Sequence, residues 1–228
     1  INKKIYYKKI LNLLIKMKNI KTKYQKTFLK TNYKVPDYSL KKLLDETNLF
    51  LEWYLPKFVK RGKNRILKIK LNKIFKKLLN NIYYKNKVFV HRDFHISNLM
   101  ITKKGLGLID SQDAVYGNIA YDLASLIDDV RFKTDIKTKN YIFDEFIKKN
   151  KQLNLKKFKN DFEILSVLRN LKIIGIFTRL SLRDKKNKYL KLIPHAWELI
   201  DYRTLNNPIF KDLKYLLSKN FDKKIRKS

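Results

Sequence analysis

Apolar residues recur along most of this chain at spacings of three and four, the period of a helix with one buried face. LNLLIKM (11–17) lies in a first helical segment. After VPD (35–37), SLKKLLDETNLFLEWYL (39–55) repeats the spacing, with Asp37 or Ser39 placed to cap its start and Pro56 to close it. A third helix is expected over 64–82, with Leu67, Leu71, Ile74, Leu78 and Leu79 on one side. The period then shortens. VFVH (88–91), LMIT (99–102) and LGLID (106–110) are short, apolar and rich in Val, Ile and Leu. Lys103, Lys104 and Gly105 form a turn signal between the last two, so 99–110 reads as a β-hairpin. Helical spacing resumes at 119–130, 137–150, 155–183, 189–202 and 207–219. No internal repeat, low-complexity linker or obvious domain boundary interrupts the pattern. The expected class is α+β and mainly helical, with a small β-element in a helical body.

Composition narrows this picture. At 228 residues, 44% hydrophobic and 13% aromatic, the chain has ample material for a packed core. It contains no cysteine, which excludes disulfide frameworks and thiolate metal sites and is compatible with a reducing cytoplasm. The apolar runs are short and broken by lysine, so no membrane span or signal-peptide core is expected. A net charge of +34 invites a nucleic-acid reading. Yet 45 lysines stand against nine arginines and are spread from end to end, whereas phosphate and base readers favour clustered Arg. A solvated lysine surface explains the charge better, although it would also attract an anionic substrate.

Candidate chemistry gathers in HRDFHISNLM (91–100), which holds two of the three histidines. The spacing is H-x-D-x-x-x-x-N, followed across the hairpin by Ile109 and Asp110. Asp93 is suited to accept the proton of an attacking hydroxyl. The Asn98 amide and the Asp110 carboxylate are hard oxygen donors suited to Mg²⁺ on nucleotide phosphates. A hairpin brings such residues to one side, and positioning of this kind contributes roughly 7–11 kcal/mol to a reaction. Asp and Asn after a strand also cap turns, so an isolated H-x-D carries little weight. The ordered set of strand, HRD, Asn98, hairpin and Leu-Ile-Asp favours phosphoryl transfer.

HRDFHISNLM with LGLIDSQDAVYGNIAYDLASLIDDV resembles the aminoglycoside-phosphotransferase-like branch of the protein-kinase fold. More narrowly, it is similar to the anomeric N-acetylmuramate/N-acetylglucosamine kinases of Gram-negative cell-wall recycling. DETNLFLEWYL (45–55) and RNLKIIGIFTRLSLRDKKNKYL (169–190) extend the similarity over most of 40–220. The resemblance implies a kinase-like C-terminal lobe over 1–228, with a catalytic segment at 88–130 and a helical acceptor-side subdomain at 131–228. It implies ATP and Mg²⁺ as cofactors, a small sugar as acceptor, and a cytoplasmic enzyme with neither membrane nor nucleic acid as partner. Asp93 would be the base, and Asn98 and Asp110 the metal ligands. His95 would approach the transferring phosphate or simply brace the loop. His91 and Arg92 would support the loop from beneath, and Asp122 would tie its backbone or cap the next helix. Met100 and Ile109 would floor the adenine, or be plain core. Gln112 and Asp113, ahead of Glu52 and Arg183, would meet the acceptor. Trp53, on its amphipathic helix, is better explained as core.

Three departures temper the resemblance. Ser111 stands where the family commonly has an aromatic residue, and Ser97 where relatives carry a larger basic residue or glycine. The five glycines include no Gly-x-Gly loop before the catalytic segment, and no strand-borne V-A-x-K pattern precedes it. The N-terminal lobe is therefore expected upstream, and the 228 residues alone should turn over weakly or not at all. The alternatives are another small-molecule kinase of aminoglycoside, choline or homoserine type, a basic nucleic-acid-binding helical protein, and a catalytically dead scaffold. Only 20 acidic residues are available to hold a polycationic aminoglycoside, which favours a neutral or anionic sugar.

Overall fold

The computed structural model describes residues 3–21, 24–26, 30–85, 87–103 and 105–227. In chain order the elements are α1 (Lys3–Lys18), β1 (Tyr24–Lys26), β2 (Asn32–Lys34), α2 (Leu40–Thr47), a π-helical turn (Phe50–Tyr54), α3 (Leu55–Phe58), α4 (Arg61–Asn80), β3 (Val88–Val90), β4 (Leu99–Thr102), β5 (Gly105–Leu108) and β6 (Val115–Gly117). Then follow α5 (Tyr121–Ile127), α6 (Ile136–Lys148), α7 (Leu155–Leu182), α8 (Ile193–Thr204), α9 (Lys211–Asn220) and α10 (Lys223–Lys227). Short 3₁₀ turns at Ile96–Asn98, Asn187–Leu192 and Pro208–Phe210 lead into β4, α8 and α9. The mainly helical α+β class is as expected. No helix of the described residues is long and apolar enough to cross a membrane.

The elements divide into two compact units, Ile1–Ser39 with Tyr83–Phe162, and Leu40–Ile82 with Glu163–Ser228. In the first unit, β3 pairs antiparallel with β6, in the register Val88–Gly117, Phe89–Tyr116 and Val90–Val115. The sequence pattern missed β6 (Val115–Gly117), because it is three residues long and ends on the glycine of a Gly-Asn pair that looks like turn chemistry. The hairpin forms as expected, with Leu99 opposite Leu108, Met100 opposite Gly107 and Ile101 opposite Leu106. Its expected turn includes Lys104, which lies outside the described residues. Directly opposed residues share a face, so Met100 lies on one side and Leu99, Ile101, Leu106 and Leu108 on the other. Every residue of α5 is buried, and Leu11, Val90, Val115, Phe146 and Phe158 join it in the core.

The second unit packs helices around aromatic side chains. The expected helix over 39–55 is broken by the π-helical turn, and Pro56 does not close it. Pro56 sits in the first turn of α3, where its missing N–H costs nothing, and the helix ends when Val59 turns extended. The cap expectation is corrected in part: Asp37 pairs with Lys87 at 2.8 Å, while α2 begins after Ser39. On α4 the buried stripe is Leu67, Leu71, Phe75, Leu78 and Leu79, with Ile74 only half-buried in place of the expected core position. Phe50, Tyr54, Trp197 and Phe221 form one ring cluster with centroids 5.2–5.9 Å apart. Trp197 Nε1 donates to the Tyr54 hydroxyl at 3.1 Å, and burial pushes that phenol up to about 12.

Candidate active site

The loop after β3 is held by one carboxylate. Asp122, in the first turn of α5 and 2% exposed, accepts from the backbone N–H of His91 at 2.7 Å and of Arg92 at 3.0 Å, one oxygen to each. Arg92 adopts φ +74°, which costs a residue with a β-carbon about 1–2 kcal/mol. Two charge-assisted bonds to consecutive amides offset that strain. Asp122 is not the helix cap: Ala120 occupies that position without a side-chain bond. The Arg92 guanidinium donates from Nη1 to the carbonyl of Asp113 at 3.1 Å and lies 5.4 Å from the centroid of Tyr38. Tyr38 in turn donates to the Tyr121 hydroxyl at 3.0 Å. The left-handed turn is thus fixed from the backbone side and from the side-chain side.

The candidate base and ligands are tied together through backbone atoms. Asn98 Nδ2 donates to the Asp93 carbonyl at 3.0 Å, and the Ile109 N–H donates to the Asn98 carbonyl at 3.1 Å. The amide nitrogen is thereby spent inside the loop, which leaves the side-chain carbonyl oxygen of Asn98 to serve as a ligand atom. Asp110 follows Ile109 in a second left-handed conformation, φ +70°, with its side chain exposed. Gln112 Nε2 donates to Asp110 Oδ1 at 2.8 Å, which orients the carboxylate. Asp93 is half-buried. One carboxylate, one amide oxygen and a neighbouring carboxylate suit a hard cation that takes its remaining ligands from phosphate. Among the described residues no group of three His, Cys, Asp or Glu side chains could hold a metal without such help.

A family model described as the phosphotransferase enzyme family matches residues 32–147, half of the chain, and spans both of these loops. The chain belongs to this family. An N-acetylmuramate/N-acetylglucosamine kinase of Neisseria meningitidis serogroup B is 37% identical over 173 residues, covering 70% of this chain and 50% of that protein. A protein of the same name from Pseudomonas aeruginosa is 27% identical over 190 residues, covering 81% and 56%. The chain therefore spans about half the length of the curated relatives it matches. Two solved structures share the fold: a Plasmodium vivax ethanolamine kinase, with TM-score 0.57 and 14% identity over 91% of this chain and 61% of that one, and an amicoumacin kinase in complex with AMP-PNP, Ca²⁺ and Ami, with TM-score 0.54 and 15% identity over 86% and 58%.

The remaining candidate residues fall into distinct settings. Met100 and Ile109 are 51% and 48% exposed, so neither is a core residue. His95 is buried, 5% exposed. His91 is fully buried, and neither ring nitrogen has a partner at full hydrogen-bond geometry. Burial lowers its pKa, against the smaller pull of Asp93 and of the Ile109 backbone. Asp113 exposes its carboxylate 3.8 Å from Arg92. Ser97 and Ser111 are exposed and leave the loop bonds intact. In the second unit, Glu52 is exposed on the π-helical turn and Trp53 is half-buried. Arg183 spends Nε and Nη2 on its neighbour Asp184, at 2.7 and 3.0 Å. Sequence reasoning missed Tyr38, the ring under Arg92. It also missed Asp161, fully buried, which accepts from the Tyr83 and Tyr84 N–H groups at 2.8 and 2.7 Å. Neither carries a motif signal, since each acts through backbone or stacking contacts far off in sequence.

Proposed function

We propose that this chain is the catalytic part of an ATP-dependent kinase that phosphorylates an amino-sugar hydroxyl, the anomeric hydroxyl of N-acetylmuramate or N-acetylglucosamine, in cell-wall recycling. The observation that carries the reading is the short bonded path from Asp93 through Asn98 to Ile109 and Asp110, which joins a base and two oxygen ligands. Asp93 takes the proton of the attacking hydroxyl and so raises its nucleophilicity. Asn98 and Asp110 would hold Mg²⁺ on the nucleotide, and that ion would supply charge neutralisation at the transferred phosphoryl group. Gln112 keeps the Asp110 carboxylate turned toward that role. Asp122 and Arg92 keep the loop in the one conformation that presents Asp93. Met100 and Ile109 receive the adenine ring. The names of the curated relatives support the acceptor.

We further propose that a phosphate-covering segment outside these 228 residues completes the nucleotide clamp, so that the chain alone turns over weakly. The test joins the chain to the part of the Neisseria relative that lies outside the match and follows sugar 1-phosphate by ³¹P NMR. The chimaera should consume Mg-ATP with either sugar. Asp93→Asn should lower kcat by about 10²–10⁴-fold without changing the melting temperature. Turnover that survives this substitution unchanged would sink the assignment of the base.

A further inference from the structure

The positive charge of the chain runs from end to end, yet one helix of the second unit concentrates it. Helix α4 carries Lys or Arg at eight of its 20 positions and no acidic residue, against 54 basic and 20 acidic residues in the whole chain of 228. All eight are exposed. Of these, among the described residues, only Lys77 reaches a carboxylate, that of Asp212 at 3.3 Å. Lysines elsewhere find closer partners, as Lys172 does in Glu46 and Lys139 in Asp128, both at 2.7 Å.

The exposed face of α4 has an apolar centre. Leu67, Leu71, Phe75 and Leu78 turn one side of the helix into the unit. Ile66 and Ile69, three positions apart and so adjacent on the surface, stand on the opposite side, 59% and 63% exposed. A helix that met only water would carry polar side chains there. Lys63, Arg65, Lys70 and Lys73 surround the pair, and their long apolar stems let the charged ends reach outward past the isoleucines. Between α4 and α9 runs an open groove of about 290 Å³, lined by Lys70, Lys73, Ile74, Asp212, Tyr215 and Leu216. Tyr215 is 61% exposed, an amphipathic ring of the kind that settles at a lipid–water boundary.

We propose that this face of α4 docks on an anionic lipid surface. The helix lies along the surface, Ile66 and Ile69 enter the headgroup layer, and the lysines face the lipid phosphates. About four to eight basic residues on one amphipathic helix suffice for such attraction. Two features choose lipid over nucleic acid. The charges on α4 come from six lysines and two arginines, so they are mostly compact point charges rather than planar forks. The isoleucines meet nothing apolar along a nucleic-acid phosphate backbone, whereas at a bilayer they leave water. A helix lying on a surface needs no spanning segment, so the short apolar runs of the chain do not oppose this. The proposal stands on α4 and α9 alone and is independent of the phosphotransfer function.

Co-sedimentation of the 228-residue chain with lipid vesicles tests it. The chain should bind vesicles of equimolar phosphatidylglycerol and phosphatidylcholine, and should not bind phosphatidylcholine alone. It should be released at about 1 M salt, where screening acts within about 3 Å. Lys70→Gln with Lys73→Gln should weaken binding about fivefold for each lysine. Lys151→Gln with Lys156→Gln, exposed in the first unit and equal in charge lost, should leave it unchanged. Ile66→Ser with Ile69→Ser keeps every charge and should also weaken binding. Ile69→Trp should add an emission that moves to the blue on the vesicles and is quenched by lipids brominated in their acyl chains. None of these exposed changes should lower the melting temperature. Equal weakening by the two lysine pairs would overturn the site in favour of diffuse charge. Binding untouched by the serine pair, or an Ile69→Trp emission that does not move, would overturn docking by this face. Tighter, α4-dependent binding to polyuridine RNA would overturn lipid as the partner, and no binding to the anionic vesicles would overturn the proposal outright.

Discussion

Asp122 in the first unit and Gly175 in the second each hold a segment in an unusual conformation, by opposite means. At Asp122 the agent is an added polar group: two carboxylate oxygens satisfy consecutive amides and stabilise a left-handed arginine. At Gly175 the agent is a missing atom. A Cβ there would lie 2.5 Å from the Leu49 carbonyl oxygen and from the Phe50 nitrogen, at the start of the π-helical turn. The region around HRD is specified by hydrogen bonds, and the aromatic helical region by volume. Polar specification tolerates a change of shape and fails on loss of an acceptor. Volume specification behaves the other way round.

Gly175→Ala should show the largest effect. The clash is with backbone atoms of another segment, so no side-chain rotation relieves it, and overpacking of this kind costs about 3 kcal/mol. Chemical denaturation of the chain should show that loss in the midpoint. The chain's own tertiary contacts demand this glycine, not any positive φ, so Gly175→Ala with wild-type stability would break the contrast.

Asp122→Ala should come next, at about 2 kcal/mol, because it strands two N–H groups, one of them in the interior. Asp122→Asn keeps one acceptor and should lie between. The more telling readout is local: the amides of His91 and Arg92 should exchange their hydrogens faster in both variants, while those of α8 and α9 should not change. A uniform loss of protection would mean that the carboxylate supports the whole unit rather than this loop.

The difference between the two regions also explains what was legible in the chain. HRD, Asn98 and Asp110 stood out as candidates because phosphoryl transfer asks for fixed residue types at fixed intervals, and the short hairpin announces itself by its apolar runs and glycine. Helix positions followed from periodicity, although Phe75 displaced Ile74 from the stripe because the packing partners, not the period, choose among adjacent apolar residues. The π-helical turn and the true role of Pro56 were invisible, since the turn packs against Gly175, some 120 positions further along. Strand β6 was lost because three residues carry too little pattern.

Titration offers the smallest effect and the last contrast. Tyr54 is held up to about 12 by burial, with the Trp197 N–H and Arg226 pulling it back down, whereas the same phenol in the unfolded chain loses its proton near 10. Below pH 10 both states keep the proton and the group contributes no slope. Between pH 10 and about 12 the unfolded state binds fewer protons than the native state, so stability falls as pH rises. At pH 11 the deficit is about 1 kcal/mol. The quantity to measure is the difference between wild type and Tyr54→Phe, in which contributions shared by the two chains cancel. That difference should be flat from pH 7 to 9.5 and should then shift in favour of the Tyr54→Phe variant. Arg226, which stacks 4.4 Å from the Trp197 centroid and pairs with Asp201 at 2.8 Å, supplies a control. Its replacement by Met should raise the Tyr54 value further and steepen the alkaline loss. A flat difference throughout would show that solvent reaches the phenol, and that the aromatic cluster is not the dry, volume-specified region its packing implies.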